Sequence, residues 1–208
     1  MERTLRLVAP AVPYLAVLFG LYVLRSAWAA MLLYHAGMLV VGIGLDGARR
    51  APELVRGGGA APGAILGLIC LGAGPVLWLC WPMMRGAAGL GAALADLGLA
   101  RESFVAFAIG YALVNPILEE WYWRGVLGSP ARAPTVGDAA FGGYHIVVLV
   151  AFVGWPWALG AAVILMGAGW LWRQISTRYG GLAIPVATHA VADLSVIVAA
   201  ALIAHGVG

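Results

Sequence analysis

Long apolar stretches separated by short polar loops are the feature that most constrains the fold of this chain. A helix needs about 20 apolar residues to cross the hydrocarbon core of a bilayer. Seven stretches reach or approach that length, at roughly 7–24, 27–45, 61–83, 103–123, 140–154, 156–172 and 183–204. Only 10% of the residues are charged, whereas a soluble domain has about 25%. We therefore predict an all-α, polytopic membrane helical bundle of about seven transmembrane helices.

The chain is predicted to form a single integral-membrane domain over residues 1–208, since its length suits one domain and no repeat interrupts it. The first apolar run continues to about Leu24 without a clear small-x-small cleavage site, so we expect a retained span. Residues 86–100 are Gly-rich and predict an interfacial or re-entrant helix. Cys70 and Cys80 lie in one apolar run, which predicts buried small side chains with no disulfide. The small net charge of +3 gives no indication of nucleic-acid binding.

The arginines predict an orientation, because basic residues concentrate on the cytoplasmic side of membrane proteins. With the N-terminus in the cytoplasm, most of them fall on that side, namely Arg3, Arg6, Arg49, Arg50, Arg56, Arg124, Arg132, Arg173 and Arg178. Arg25, Arg85 and Arg101 would then lie outside. The sequence therefore predicts a cytoplasmic N-terminus and an external C-terminus.

Ionisable groups inside the predicted spans are costly and usually face a cavity or one another. They form three short groups, which comprise Glu119, Glu120 and Arg124 in the fourth span, His145 in the fifth, and His189 and Asp193 in the seventh. The two histidines lie about five or six residues inside their spans, roughly 8–9 Å deep at about 1.5 Å per residue. The predicted topology places all three groups at similar depth on the cytoplasmic side. We therefore expect them to share one cavity.

Helical spacing indicates which of these side chains share a face. Residues four apart lie one turn apart on the same face of a helix. Glu120 can therefore pair with Arg124, which leaves Glu119, about 100° further round, free to point elsewhere. His189 and Asp193 have the same spacing and can face the same cavity.

The fifth span repeats this spacing. Phe141 lies four residues before His145 and would form an aromatic wall beside the imidazole. The mid-span His35 has no acidic neighbour in sequence, so it is predicted to pack or to line a cavity. Tryptophans at 121, 123, 155, 157, 170 and 172 are predicted to form an interfacial belt.

These residue types have the parts needed for attack of water on an amide. A carboxylate and an imidazole can take a proton from water and pass it to a leaving amine. A second imidazole and a polar side chain can stabilise the developing oxyanion. Serine chemistry is not favoured, because Ser195 is poorly placed and Ser176 and Thr177 are expected in a loop.

The three groups resemble the motifs of the CPBP family (CAAX protease and bacteriocin-processing), which are Glu-Glu-x-x-x-Arg, Phe-x-x-x-His and His-x-x-x-Asn/Asp. Here they read Glu119-Glu120-Trp121-Tyr122-Trp123-Arg124, then Phe141-Gly142-Gly143-Tyr144-His145, then His189-Ala190-Val191-Ala192-Asp193. The resemblance covers about residues 103–204, the motif-bearing core. It implies a glutamate-dependent intramembrane endopeptidase that acts on a membrane-anchored protein or peptide.

The resemblance also implies a role for each residue. Glu119 would activate the attacking water with His145, and His189 and Asp193 would form the oxyanion site. Glu120, Arg124 and Phe141 would structure the site. Prenyl proteases typically have Asn where this chain has Asp193, and an ionised carboxylate there would repel an oxyanion. Asp193 would then be protonated, orient His189 or help to bind a metal.

Bacterial relatives implied by the resemblance include bacteriocin-processing or immunity proteins and proteases that trim C-terminal membrane anchors of sorted proteins. The expected location is therefore a bacterial inner membrane, with the lipid bilayer and a membrane-anchored substrate as partners. No cofactor is expected under the glutamate–water scheme.

Alternatives to that scheme remain at the level of the sequence. Glu119, His145, His189 and Asp193 could together hold a divalent metal such as zinc in a metal-dependent version of the same protease. The chain could instead be a non-enzymatic membrane immunity or scaffold protein. Buried Glu and His could also relay protons in a transporter, although no internal repeat supports that function.

Overall fold

The computed structural model describes residues 2–45, 47–84 and 89–206, with side chains described from residue 4 onward. Over these ranges the structure is helical and has no strand. The first helices are α1 (Glu2–Val8), α2 (Ala11–Leu18, extended by a π-helical turn at Phe19–Val23), α3 (Ala27–Gly44) and a 3-10 helix (Gly47–Val55). The chain continues through α4 (Ala60–Leu71), α5 (Ala73–Met84), α6 (Leu90–Asp96) and α7 (Arg101–Glu119), which passes into a π-helix (Glu120–Val126). The last three helices are α8 (Val136–Leu149), α9 (Trp155–Tyr179) and α10 (Ala183–His205).

The prediction of an all-α, polytopic helical bundle is confirmed. Four helical stretches are long and apolar enough to cross a membrane, namely Ala27–Gly44, Ala60–Met84, Trp155–Tyr179 and Ala183–His205. A fifth span arises if α6 and Arg101–Val126, which meet at 84°, count as one. The predicted first and fifth spans correspond to the shorter apolar helices Ala11–Val23 and Val136–Leu149. The count of seven spans is therefore not confirmed.

The bend between α6 and α7 is that of a broken span or a re-entrant loop, the type of structure predicted around residues 86–100. Arg85 and residues 86–88 lie outside the described residues. Gly98 adopts φ +77°, a left-handed conformation that glycine accepts without steric cost. This glycine closes α6 before the chain turns into α7.

Helix α10 is the central element of the bundle. It packs against α4, α5, α6, α7 and α9. Ser195 joins it to the break between α4 and α5, because its hydroxyl donates to the Leu71 carbonyl (2.6 Å) and accepts from the Gly74 amide (2.9 Å). A Cβ at Gly74 would lie 2.2 Å from the Ser195 carbonyl oxygen, so only glycine permits this approach. Ser195 is thus a packing residue of the bundle.

The arginines lie in two groups, one at each end of the bundle. At one end the Ala27 amide donates to the Leu97 carbonyl (2.9 Å), which brings the segments of Arg25 and Arg101 together. At the other end Arg6 Nη1 donates to the Val126 carbonyl (3.3 Å) and the Leu182 amide donates to the Glu53 carbonyl (2.7 Å). This grouping agrees with the predicted separation, while the orientation in the cell stays a prediction.

Candidate active site

The consecutive glutamates Glu119 and Glu120 lie where α7 changes into a π-helix. Both are 0% exposed. Pro116 precedes them inside α7 and removes one backbone hydrogen bond from the helix. π-helical turns are rare and occur often at functional sites. Although neighbouring residues of an α-helix point about 100° apart, both carboxylates here reach the same imidazole, that of His189.

Two tyrosines hold one oxygen of the Glu119 carboxylate. The Tyr34 hydroxyl donates to Oε1 at 2.6 Å, and the Tyr144 hydroxyl donates to the same oxygen. Both tyrosines are buried. The other oxygen, Oε2, accepts no hydrogen bond from the described residues and lies 3.5 Å from His189 Nε2. Glu119 is therefore oriented through one oxygen and can accept a proton on the other.

The ring of His145 is oriented by its own helix. Its Nδ1 lies 2.9 Å from the Phe141 carbonyl oxygen. Because a carbonyl can only accept, Nδ1 carries the hydrogen and the neutral ring keeps Nε2 as an acceptor. The ring lies 4.0 Å, centroid to centroid, from Tyr144, whose hydroxyl binds Glu119. Tyr144 thus contacts both Glu119 and His145, and Nε2 of His145 is left to act as a base.

His189 connects the acidic groups of the site. Its Nδ1 donates to Glu120 Oε1 (2.8 Å), and its Nε2 lies 3.5 Å from Glu119 Oε2 and 3.6 Å from Asp193 Oδ1. The ring stacks on Trp172 with a centroid distance of 4.4 Å and an interplanar angle of 16°. The Nε2–H of the imidazolium would therefore point between two carboxylates, and that proton is placed for donation to an oxygen bound there.

Arg124 contacts the same oxygen of Glu120 that accepts from His189. Its buried Nη1 lies 3.2 Å from Glu120 Oε1, the partner predicted from the four-residue spacing. The guanidinium carbon lies 3.9 Å from the centre of the Phe141 ring, close enough for a cation–π interaction. Phe141 also packs against His145, with centroids 5.1 Å apart. Phe141 therefore links the arginine to the imidazole.

Every predicted site residue lies in this one cluster, and the catalytic roles of these residues stay a prediction. The sequence analysis missed Tyr34, Tyr144, Asn115 and Trp172. Asn115 carried a signal, since it is a polar residue in an apolar span one turn before Glu119. Tyr34 carried none, because α3 is distant in sequence from all three motifs.

Two expectations about individual residues were wrong. Trp121, Trp123 and Trp172 are buried in the bundle and are not part of an interfacial belt. Ser176 and Thr177 lie within α9 and not in a loop. Ser176 and Thr177 are helical because α9 continues to Tyr179, after which Gly180 ends the helix with φ +70°.

The metal-dependent alternative has no matching geometry among the residues that the structure describes. No group of three or more His, Cys, Asp or Glu side chains there is arranged to hold a metal ion. Nδ1 of His189 donates to Glu120 and Nδ1 of His145 to a backbone carbonyl, which leaves Nε2 of each ring for other contacts. The metal-dependent alternative stays a prediction, and the mechanism below uses no metal.

Comparison with known proteins agrees with the position of the three motifs. Residues 101–195, just under half of the chain, match the family model of "Type II CAAX prenyl endopeptidase Rce1-like" proteins. No curated protein and no solved structure matches the chain. The matched segment begins at the start of α7 and ends just after Asp193, so it contains all the predicted site residues. The motif-bearing part of this membrane protein is therefore similar to Rce1-like proteins, which confirms the resemblance that the three motifs predicted.

Proposed function

We propose that the chain is an intramembrane endopeptidase that hydrolyses a peptide bond of a membrane-anchored protein or peptide near the cytoplasmic leaflet. The observation that carries this proposal is the state of Glu119. One carboxylate oxygen is held by two phenols, and the other faces the site next to His189. A carboxylate so oriented, beside an imidazole, is suited to general base catalysis.

In the proposed reaction, Glu119 Oε2 and His145 Nε2 hold a water molecule and take one of its protons as its oxygen attacks the scissile carbonyl carbon. The negative charge then develops on the former carbonyl oxygen, which accepts a hydrogen bond from His189 Nε2–H. The C–N bond breaks, and the proton taken from water passes to the leaving amine. The products are a carboxylic acid and an amine, which become a carboxylate and an ammonium once the proton of the acid passes to the amine.

Glu120 and Arg124 act in this scheme by holding His189. Glu120 accepts from His189 Nδ1, and Arg124 balances the charge of Glu120. Glu120 and Arg124 are both buried. They need this pairing because a buried charge without its partner costs about 3–5 kcal/mol of stability. The pairing keeps the ring in place while charge develops on the oxyanion.

We further propose a bacterial inner-membrane location with the N-terminus in the cytoplasm. The support is the separation of arginines between the two ends of the bundle together with the positive-inside rule. The substrate would be a lipidated protein, a bacteriocin precursor or a C-terminal sorting tail, in each case anchored in the membrane.

The test compares the wild-type strain with strains that carry Glu119→Gln or His145→Ala. Membrane proteomics should find precursors that accumulate uncut in both variants, while each variant protein still inserts. Purified wild-type protein should also cleave a quenched, farnesylated peptide that ends in a Cys-aliphatic-aliphatic-X sequence, or a precursor found in this way.

Leu113→Ala is the matched control, because Leu113 lies on α7 with 65% of its surface exposed. Full cleavage by both site variants would contradict the mechanism. If Glu119→Gln keeps the biological function of the wild type, the chain is better explained as an immunity or scaffold protein. Proton-coupled transport by the protein in proteoliposomes would favour a transporter. Loss of cleavage on chelation, with restoration by zinc, would favour the metal-dependent alternative.

A further inference from the structure

A series of hydrogen bonds between side chains of three helices leads from His35 through Asn115 to Asp193. The reaction proposed above does not use His35 or Asn115. His35 Nε2 lies 3.2 Å from Asn115 Oδ1, and Asn115 Nδ2 donates to Asp193 Oδ2 at 3.1 Å. These residues come from α3, α7 and α10. His35 and Asn115 are buried, with exposures of 7% and 1%. A buried amide with a partner at each end has its orientation determined by those partners.

The chain fixes which oxygen of Asp193 faces the catalytic groups. Asn115 binds Oδ2, whereas Oδ1 lies 3.6 Å from His189 Nε2. With Asn115 Nδ2 directed at Asp193, Oδ1 of the amide must face His35, which therefore carries a hydrogen on Nε2. If the amide turned over, its oxygen would face the Asp193 carboxylate, and the two acceptors would repel each other. His35 opposes that rotation by donating to Oδ1.

We propose that Asn115, oriented by His35, is a positioning residue of the hydrolytic site that holds the Asp193 carboxylate with Oδ1 toward His189. Asp193 then holds the Nε2–H of His189 in line for the substrate and is not itself an oxyanion ligand. This inference rests on the proposed function. It assigns Asp193 one of the roles that the sequence left open, namely to orient His189.

The proposal predicts that the amide and the carboxylate act as a pair. Asn115→Asp alone places two carboxylates against each other. Asp193→Asn alone leaves an amide whose oxygen accepts from Asn115 Nδ2, so that its NH2 group faces His189 in place of an acceptor. Each single substitution should lower kcat by about 10- to 100-fold with little change in KM, because substrate binding is intact and the donor is misplaced.

The double variant Asn115→Asp/Asp193→Asn restores one amide and one carboxylate in contact, with His35 still able to donate to residue 115. The kcat of the double variant should be at least tenfold higher than that of the less active single variant. His35→Ala should lower kcat by a smaller factor, roughly fivefold to tenfold, since it loosens the amide without removing it.

The assay follows cleavage of the farnesylated probe peptide by purified protein in detergent or, if wild-type protein leaves it intact, of the precursor that accumulates in the Glu119→Gln strain. Leu113→Ala is again the control on the same helix. Near-isosteric substitutions are used so that folding can be matched by size-exclusion chromatography.

Loss in both singles with recovery in the double variant supports the proposal. The proposal is overturned if the two factors by which kcat falls multiply in the double variant, or if the single variants keep the kcat of the wild type. Neither result affects the proposed role of Glu119. A wild-type chain that cleaves neither substrate, or a Glu119→Gln variant that cleaves as well as wild type, removes the proposed function and this inference with it.

Discussion

At the scale of single residues, each of the two buried glutamates is held through one carboxylate oxygen, Oε1, while its Oε2 accepts no hydrogen bond from the described residues. Glu119 and Glu120 are 0% exposed, and each finds partners from other helices. A buried group that loses its partner costs about 1–3 kcal/mol, more if it is charged. The same contacts that orient the catalytic groups should therefore also stabilise the fold.

The tyrosine pair allows a test of this coupling. Tyr34→Phe and Tyr144→Phe each remove one donor to Glu119 Oε1, but the double variant removes both. We expect the double variant to be destabilised beyond the sum of the singles by about 1–3 kcal/mol, as the buried carboxylate then loses its last strong donor. Thermal unfolding in detergent measures the stability of each variant. Strictly additive effects would contradict the joint binding of Glu119 by the two tyrosines. In a Glu119→Gln background, whose amide is neutral, the excess should shrink.

Gly169 offers a second test at the residue scale. A Cβ at this position would lie 2.8 Å from Phe141 Cδ1 and 2.9 Å from Arg124 Nη2. Gly169→Ala should thus displace Arg124 from Glu120 and lower kcat by roughly 10- to 100-fold. Gly167→Ala is the matched control on the same helix, because nothing lies within 4 Å of its Cβ. Equal activity of the two variants in the cleavage assay would show that Arg124 does not hold the site.

At the scale of elements, helices α8 and α9 form a tightly packed pair that carries His145 and Trp172. A Cβ at Gly142 would lie 2.4 Å from the Ala162 carbonyl oxygen, so the two backbones meet there. Small residues allow such close approach of helices in a membrane. The loop before α8 is fastened to the same pair through Arg173 and Asp138.

Arg173 is predicted to act as a latch for that loop. Its guanidinium binds Asp138 (Nη2 to Oδ2, 2.6 Å) and donates to the carbonyls of Ser129, Ala131 and Ala133. Arg173→Ala leaves Asp138 buried and without its counter-ion, which should cost about 3–5 kcal/mol. We expect trypsin to cleave faster after the exposed Arg132 in this variant. An unchanged cleavage rate, with an exposed-site variant such as Arg178→Ala as control, would contradict the latch.

At the scale of the whole molecule, the two halves of the chain build one site. The family match covers residues 101–195, but Tyr34 and His35 come from α3 in the other half. The N-terminal half therefore completes the site. The two ends of the bundle differ in charge, and this asymmetry determines the expected orientation in the membrane.

Cysteine labelling tests that orientation. In a chain with Cys70→Ala and Cys80→Ala, single cysteines replace the exposed Arg101 and Arg132, which belong to opposite ends of the bundle. With a cytoplasmic N-terminus, an impermeant maleimide should label position 101 in intact spheroplasts and position 132 only after permeabilisation. The reverse pattern would invert the topology and place the site near the outer leaflet.

The sequence by itself determined that the chain is helical, that lipid covers much of it, and which helix faces are polar. Those properties depend on hydropathy and on the four-residue spacing of a helix, as in Glu120 with Arg124. Only the tertiary structure decided that both glutamates reach His189 and that Tyr34, His35 and Asn115 join them. The physical reason is that these contacts join helices far apart in the chain, where packing, and not local periodicity, sets which side chains meet.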